Sequence, residues 1–235
     1  MDTIFALATA RGRSGVAVIR ISGSKAFETA SQLVGALPEP GTVRLRPVRD
    51  PGGETVDQAL VLVFEAPRSF TGENVVELHV HGSVAVISKC EQLLQETEMA
   101  RPADAGEFTR RALENGKMDI AQVEGLGDLL SAETEAQRVQ ATKLLEGRLG
   151  DQAAEWRSSL LTALALVEVM IDFSDEEVPA DTSEQVIVNI DKLIGNLNSE
   201  INGSHIAERL RDGFEVAILG APNAGKSTLL NAIAG

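Results

Sequence analysis

Eight consecutive residues near the end of the chain, Gly220-Ala221-Pro222-Asn223-Ala224-Gly225-Lys226-Ser227, fit the pattern G-x-x-x-x-G-K-[ST]. The chemistry of that order is phosphate capture. Glycines let the backbone curl around the anion, amides and a following helix N-terminus supply positive potential, the lysine reaches the outer phosphates, and the serine hydroxyl ligates magnesium. Asn223, Ala224, Gly225, Lys226, Ser227 and Thr228 are therefore the expected nucleotide contacts, with Ser227 the magnesium ligand. A second group lies far upstream. Val75 to His81 alternates strictly, placing Val76, Leu78 and Val80 on one face of a strand and Glu77, His79 and His81 on the other. Two imidazoles two residues apart bring no convincing third ligand, so the pattern does not specify a metal site.

The elements that must position these groups follow from periodicity. Val16 to Ile21 is an apolar, β-branched run, Ser22-Gly23 a turn, and Ala26 to Leu33 a short helix. Ala59 to Phe64 reads as a buried strand. Ser83 to Leu94 has helical composition, and after the break at Arg101-Pro102 and Ala105-Gly106 a further short helix ends at Asn115-Gly116. Residues 1–117 thus read as one α+β domain, a sheet with helices upon it. Beyond Lys117 apolar residues recur at three- and four-residue steps: Ile120, Val123, Leu126, Leu129 and Leu130; then Leu160, Leu161, Leu164, Val167 and Ile171; then Val186, Ile190, Leu193, Ile194, Leu197 and Ile201. Three amphipathic helices over residues 118–212 account for them, the second and third joined by an acidic linker from Asp172 to Asp181. A short strand from Phe214 to Leu219 then feeds the phosphate loop, so residues 213–235 read as the first strand, loop and helix start of a third domain.

Composition narrows the classes. The 35 acidic against 21 basic residues give a net charge of −14, which makes the chain by itself a poor holder of RNA phosphates. Arg11, Arg13, Arg20, Arg44, Arg46 and Arg49 nevertheless cluster early, where an anion site is feasible. No apolar stretch reaches the ~20 residues a bilayer crossing needs, and a cytoplasmic setting is expected. The single cysteine, Cys90, excludes an internal disulfide and reads as a small buried hydrophobe on a helix.

Several segments taken together resemble one family. Asp2-Thr-Ile-Phe-Ala-Leu-Ala-Thr9, Gly15-Val-Ala-Val-Ile-Arg-Ile-Ser-Gly23, Phe70-Thr-Gly-Glu73, Gly106-Glu-Phe-Thr-Arg-Arg-Ala112, Asn115-Gly-Lys-Met-Asp-Ile-Ala-Gln122 and Ile171-Asp-Phe-Ser-Asp-Glu-Glu177 stand in order along the chain, ahead of a phosphate loop continuing Ser227-Thr-Leu-Leu-Asn-Ala-Ile-Ala-Gly235. This series resembles the MnmE (TrmE) family of GTPases. The resemblance implies an N-terminal domain similar to the tetrahydrofolate-binding fold of glycine-cleavage T proteins, which forms a homodimer and holds 5-formyltetrahydrofolate or a related folate. It carries over three folate contacts, Arg20, Glu77 and Lys117. A reduced pterin presents adjacent N–H donors that a carboxylate accepts as a pair, which suits Glu77; Arg20 and Lys117 would hold folate carboxylates or carbonyls. Asn223 matches the asparagine that coordinates potassium in the cation-stimulated members, and a turn-forming role is open to it as well.

The chain departs from the family at His79-Val80-His81-Gly82-Ser83, where Gln-Gly-His-Gly-Gly is common. For the parent protein the resemblance implies GTP hydrolysis, dependent on Mg2+ and K+, that supports modification of C5 of the wobble uridine in tRNA with the flavoprotein MnmG and a folate carbon. A switch threonine, D-x-x-G and N-K-x-D would lie after Gly235. The expectation is therefore a chain that by itself neither hydrolyses GTP nor modifies tRNA, a folate-binding dimerisation module whose helices lack their C-terminal mates.

Overall fold

The computed structural model describes residues 2–172, 182–212, 217–221 and 224–234. They form two compact units, one running to Val123 and one from Glu124. The first contains strands β1 (Thr3–Leu7), β2 (Ser14–Ser22), β3 (Val43–Arg49), β4 (Thr55–Phe64), β5 (Val75–Gly82) and β6 (Ala100–Pro102), with helices α1 (Ala26–Val34), α2 (Val84–Glu96) and α3 (Glu107–Glu114). The strands make one sheet in the order β3-β4-β5-β2-β1-β6. All neighbours are antiparallel except β1 and β6. This is an α+β unit, as the sequence implies.

Alternation decides which face is covered. Ile19 and Ile21 of β2, Val61 and Val63 of β4, and Val76, Leu78 and Val80 of β5 are buried in one core with Ala30 and Leu33 of α1 and Ile87, Cys90 and Leu94 of α2. Both long helices therefore lie on the same side of the sheet. At β5 the alternation read from sequence holds: Val76, Leu78 and Val80 point into this core.

The opposite face is only partly covered, and here the reading of Ala59 to Phe64 as a buried strand needs correction. Ala59 and Val61 are fully buried, whereas Leu60 is 45% exposed. An unbroken apolar run can mean burial on both faces or a one-sided strand whose outer residues happen to be apolar, and β4 is the second kind. Register lines up Leu45, Leu60, His79 and Val18 as one row across this outer face. The adjacent row is Val43, Leu62, Glu77, Arg20 and Ala6. Three strands escaped the sequence reading, β1 and the two edge strands β3 and β6. Arg44, Arg46 and Arg49 of β3 interrupt its hydrophobic pattern, and charge on an edge discourages pairing with another chain.

Helix α4 (Ile120–Ser131) starts in the first unit and runs into the second, where α5 (Glu135–Leu145), α6 (Arg148–Asp172), α7 (Thr182–Asp212) and α8 (Lys226–Ala234) follow. The helices containing Ile120, Leu160 and Ile190 were expected; α5 was not, because its residues lack an apolar stripe. It starts instead on a local signal, a capping box in which Thr134 accepts from the Gln137 amide and Gln137 reaches back to the Thr134 backbone. Helices α6 and α7 pack along each other and α5 touches both. Ala163 and Leu193 are buried between them, yet Leu160, Leu161, Leu164 and Ile194 remain about half exposed. The acidic linker falls mainly on residues 173–181, outside the described residues. Of the strand expected over Phe214 to Leu219, residues 217–219 are described and carry no strand. A single strand has no strand partner for its backbone groups among the described residues of this unit, so strand propensity alone does not fold it.

Candidate binding site on the open sheet face

Glu77 projects from β5 onto the open face, directly across from Arg20 of β2. Arg20 Nε donates to Glu77 Oε1 at 2.8 Å, and Nη2 lies 2.8 Å from the same oxygen. The other carboxylate oxygen, Oε2, stands 3.2 Å from His79 Nε2. The guanidinium also sits over two aromatic rings, 5.4 Å from the centroid of Phe70 and 5.7 Å from that of Phe108. Phe70 is 37% exposed, so a flat, π-faced wall borders the polar pair. The site combines a partly buried carboxylate, a guanidinium and aromatic surface, suited to a planar heterocycle with N–H donors.

Lys117 approaches from the chain that follows α3. Its Cγ and Cδ run close to Gly72, where a Cβ would come within 3.1–3.2 Å of them. Gly72 has φ +76, a left-handed conformation that favours glycine, and this turn lets the lysine stem lie across the loop holding Phe70. Asn115 ties the same loop down by donating to the Thr71 carbonyl at 2.7 Å. The three residues carried over by resemblance thus belong to one unit: Arg20 and Glu77 in contact, and Lys117 with its stem against the loop that supplies Phe70.

Beneath the site is an ion network that sequence reasoning missed. Arg111 of α3 is almost wholly buried and donates to the Asp2 carbonyl and Oδ1 at 2.7 Å each, to Glu107 Oε1 at 2.9 Å and to both Glu73 oxygens at 3.2 Å. Glu73 accepts in addition from Ser22 Oγ at 2.8 Å, two residues from Arg20. Arg101 closes the set with a bidentate pair to Glu107 at 2.7 and 2.9 Å and a bond to Asp2 at 2.6 Å. The signal was available in sequence as the i, i+4 pair Glu107 and Arg111, but Asp2 and Arg101 meet only through the β1–β6 pairing, and Glu73 joins them only through β2 and β5. Gly23 makes the same junction possible, since a Cβ there would fall 2.6 Å from Thr3 Cα and 2.7 Å from the Asp2 carbonyl.

Arg101, with help from the Asp104 amide and Arg111, holds the Glu107 carboxyl at about 2, below its ordinary 4.5, despite burial. A carboxyl depressed by folding binds its proton more readily when unfolded, so its stabilisation is complete above about 4.5 and is lost as pH falls through about 2. Urea midpoints of the first unit, followed by circular dichroism, are expected to decline over that window. The Glu107→Gln variant, already weakened at neutral pH, should decline less steeply.

The remaining cations are dispersed. Arg11 pairs with Glu91 of α2, Arg46 donates to the Ala36 carbonyl and Arg49 to the Gly53 carbonyl, so they do not converge on one anion site. His81 pairs with Asp57 at 2.7 Å through Nδ1 and is separated from His79's partner. In the phosphate loop, α8 begins at Lys226 directly after Gly225, whose φ is +83. Lys226 Nζ donates to the carbonyls of Gly220 and Ala221 at 3.0 and 2.8 Å. Ala224, Ser227 and Thr228 flank it and are exposed. Asn223 lies outside the described residues.

Comparison with known proteins agrees along the chain. The family model "GTP-binding protein TrmE N-terminus" matches residues 3–117, and "MnmE helical domain" matches residues 120–228. The chain is 55% identical to the tRNA modification GTPase MnmE of Roseobacter denitrificans over 235 residues, covering 100% of this chain and 55% of that protein. It is 56% identical to the protein of the same name from Ruegeria sp., again covering 100% of this chain and 55% of the relative. With that of Jannaschia sp. the identity is 57%, at the same two coverages. The chain spans about half the length of the curated relatives it matches.

Proposed function

Because the chain belongs to the MnmE family of tRNA modification GTPases, we propose that its first unit is a folate-binding, dimerising module serving a potassium-dependent GTPase. That whole enzyme would act in the cytoplasm with the flavoprotein MnmG on C5 of the wobble uridine, U34, of tRNA, taking the carbon from a tetrahydrofolate. The observation that carries the reading is the Glu77 carboxylate, partly buried between Arg20 and His79 beside the Phe70 and Phe108 rings.

A reduced pterin would hand its adjacent N–H donors to Glu77 and lay its ring against the aromatic wall, while Arg20 and Lys117 take carbonyl or carboxylate oxygens. At the phosphate loop GTP would be cradled by the backbone from Asn223 to Gly225, with Lys226 leaving its carbonyl partners for the outer phosphates. Ser227 would hold Mg2+, Thr228 would sit at the α8 N-terminus beside the phosphates, and Asn223 would hold K+.

The apolar outer row supports a homodimer. Val43, Leu45 and Leu60 are 51%, 59% and 45% exposed on one sheet face, a group of large apolar side chains that a second copy would cover. Two measurements test these readings. Calorimetric titration with 5-formyltetrahydrofolate is expected to show saturable binding, and its absence would sink the folate module. Sedimentation at micromolar concentration is expected to give a dimer, which Leu60→Lys converts to monomer; a wild-type monomer would remove the second copy from the reading.

A further inference from the structure

Both oxygens of the Glu77 carboxylate are held, but by different partners. Arg20 directs two donors at one of them: Nε bonds Oε1 at 2.8 Å, and Nη2 is 2.8 Å from the same atom. A guanidinium facing a carboxylate favours the fork, two parallel bonds onto two oxygens. What stands at the second oxygen is His79, with Nε2 3.2 Å from Oε2 in a position to donate. Register fixes the imidazole there. His79 lies between Leu60 of β4 and Val18 of β2, neither of which offers a polar side chain, and Glu77 is its neighbour two residues along the same strand face.

We propose that His79 is a positioning residue for Glu77: by holding Oε2 it keeps the carboxylate from closing onto Arg20 as a fork, and reserves that oxygen for a ligand bringing its own pair of N–H donors. The ligand's identity rests on the folate reading; the geometry does not. In a closed fork a ligand must break two charge-assisted bonds before it can use the carboxylate. With His79 in place it displaces one bond of 3.2 Å, at the long end of the N–H···O range. The imidazole acts through Glu77 and has no part in any reacting bond.

The test compares wild type with His79→Ala and His79→Gln in the whole chain. Glutamine can extend an amide N–H to Oε2 and alanine cannot. Calorimetric titration with 5-formyltetrahydrofolate is expected to show about tenfold weaker binding for His79→Ala and recovery to within about twofold of wild type for His79→Gln. A readout without ligand accompanies it. The coupling between Arg20 and Glu77, taken from urea midpoints of Arg20→Ala, Glu77→Ala and the double variant, is expected to be larger in the His79→Ala background, where the fork can form. If wild type takes up no folate, the folate reading fails, and His79 is judged by the coupling alone: an increase supports its role. Unchanged coupling, unchanged folate affinity in His79→Ala, or equal loss in both variants overturns it, the last because the imidazole itself would then be contacting the ligand.

Discussion

Arg111→Ala is expected to lower the stability of the first unit by about 3–5 kcal/mol, a large share of the roughly 5–15 kcal/mol that a domain has to lose. The reason is what the substitution leaves behind. Arg111 is 3% exposed and supplies donors to Asp2, Glu73 and Glu107. Without it Glu107 keeps Arg101 and the Asp104 amide, but Glu73 loses its cation and is left with the Ser22 hydroxyl. A carboxylate withdrawn from water and deprived of its cation costs far more than the mutual attraction of the pair contributes. Arg111→Met separates charge from packing, because methionine fills much of the space and offers no donor. Equal losses for Ala and Met in urea unfolding would assign the effect to charge. A loss under about 1 kcal/mol in either variant would show that water reaches the carboxylates and that the network is marginal.

Glu77→Ala is expected to weaken 5-formyltetrahydrofolate by at least about 100-fold, with little change in the urea midpoint. Hydrogen bonds to a charged acceptor are worth roughly 1.5–3 kcal/mol each when solvent is held off, and a paired set of two exceeds the ~2.7 kcal/mol that a hundredfold change requires. Glu77→Gln should fare no better. It keeps the shape but turns one acceptor into a donor, which then faces a ligand N–H. Stability is spared because the side chain lies on the open face and not in the core, and its removal frees Arg20 to hydrate while still resting on Phe70 and Phe108. Binding within threefold of wild type in Glu77→Ala, checked by calorimetry, would remove the carboxylate from the site.

What was legible in the sequence was what repeats locally. The period-two alternation through Glu77 gave the strand, its buried face and the outward carboxylate together, since one register sets all three. Helices with an apolar stripe were legible, and α5, which has none, was not. The one-sided burial of β4 was hidden because Leu60 and Leu62 are as apolar as Ala59 and Val61; only the placement of α1 and α2 on one side separates them. The Arg111 network was invisible for a different reason. Its members are Asp2, Glu73, Arg101, Glu107 and Arg111, and their meeting depends on a parallel pairing of β1 with a three-residue strand that carries no hydrophobic pattern of its own. The strand expected at Phe214 to Leu219 shows the converse, a local apolar signal that residues 217–219 do not follow, with no strand beside them among the described residues of their unit.

The burial of Cys90 has a practical side. Burial, with Asp57 and Glu91 adding to it, pushes the thiol up to about 12, and the sulfur has no exposed surface in the folded unit. Since a disulfide reagent reacts with thiolate, labelling at neutral pH must wait until the first unit opens, and its rate counts those openings. The sole indole, Trp156, lies on α6 in the other unit. One sample therefore contains two native reporters, a reactive clock for one unit and an emission for the other, and the order in which the halves of this chain come apart can be timed without adding a label to either.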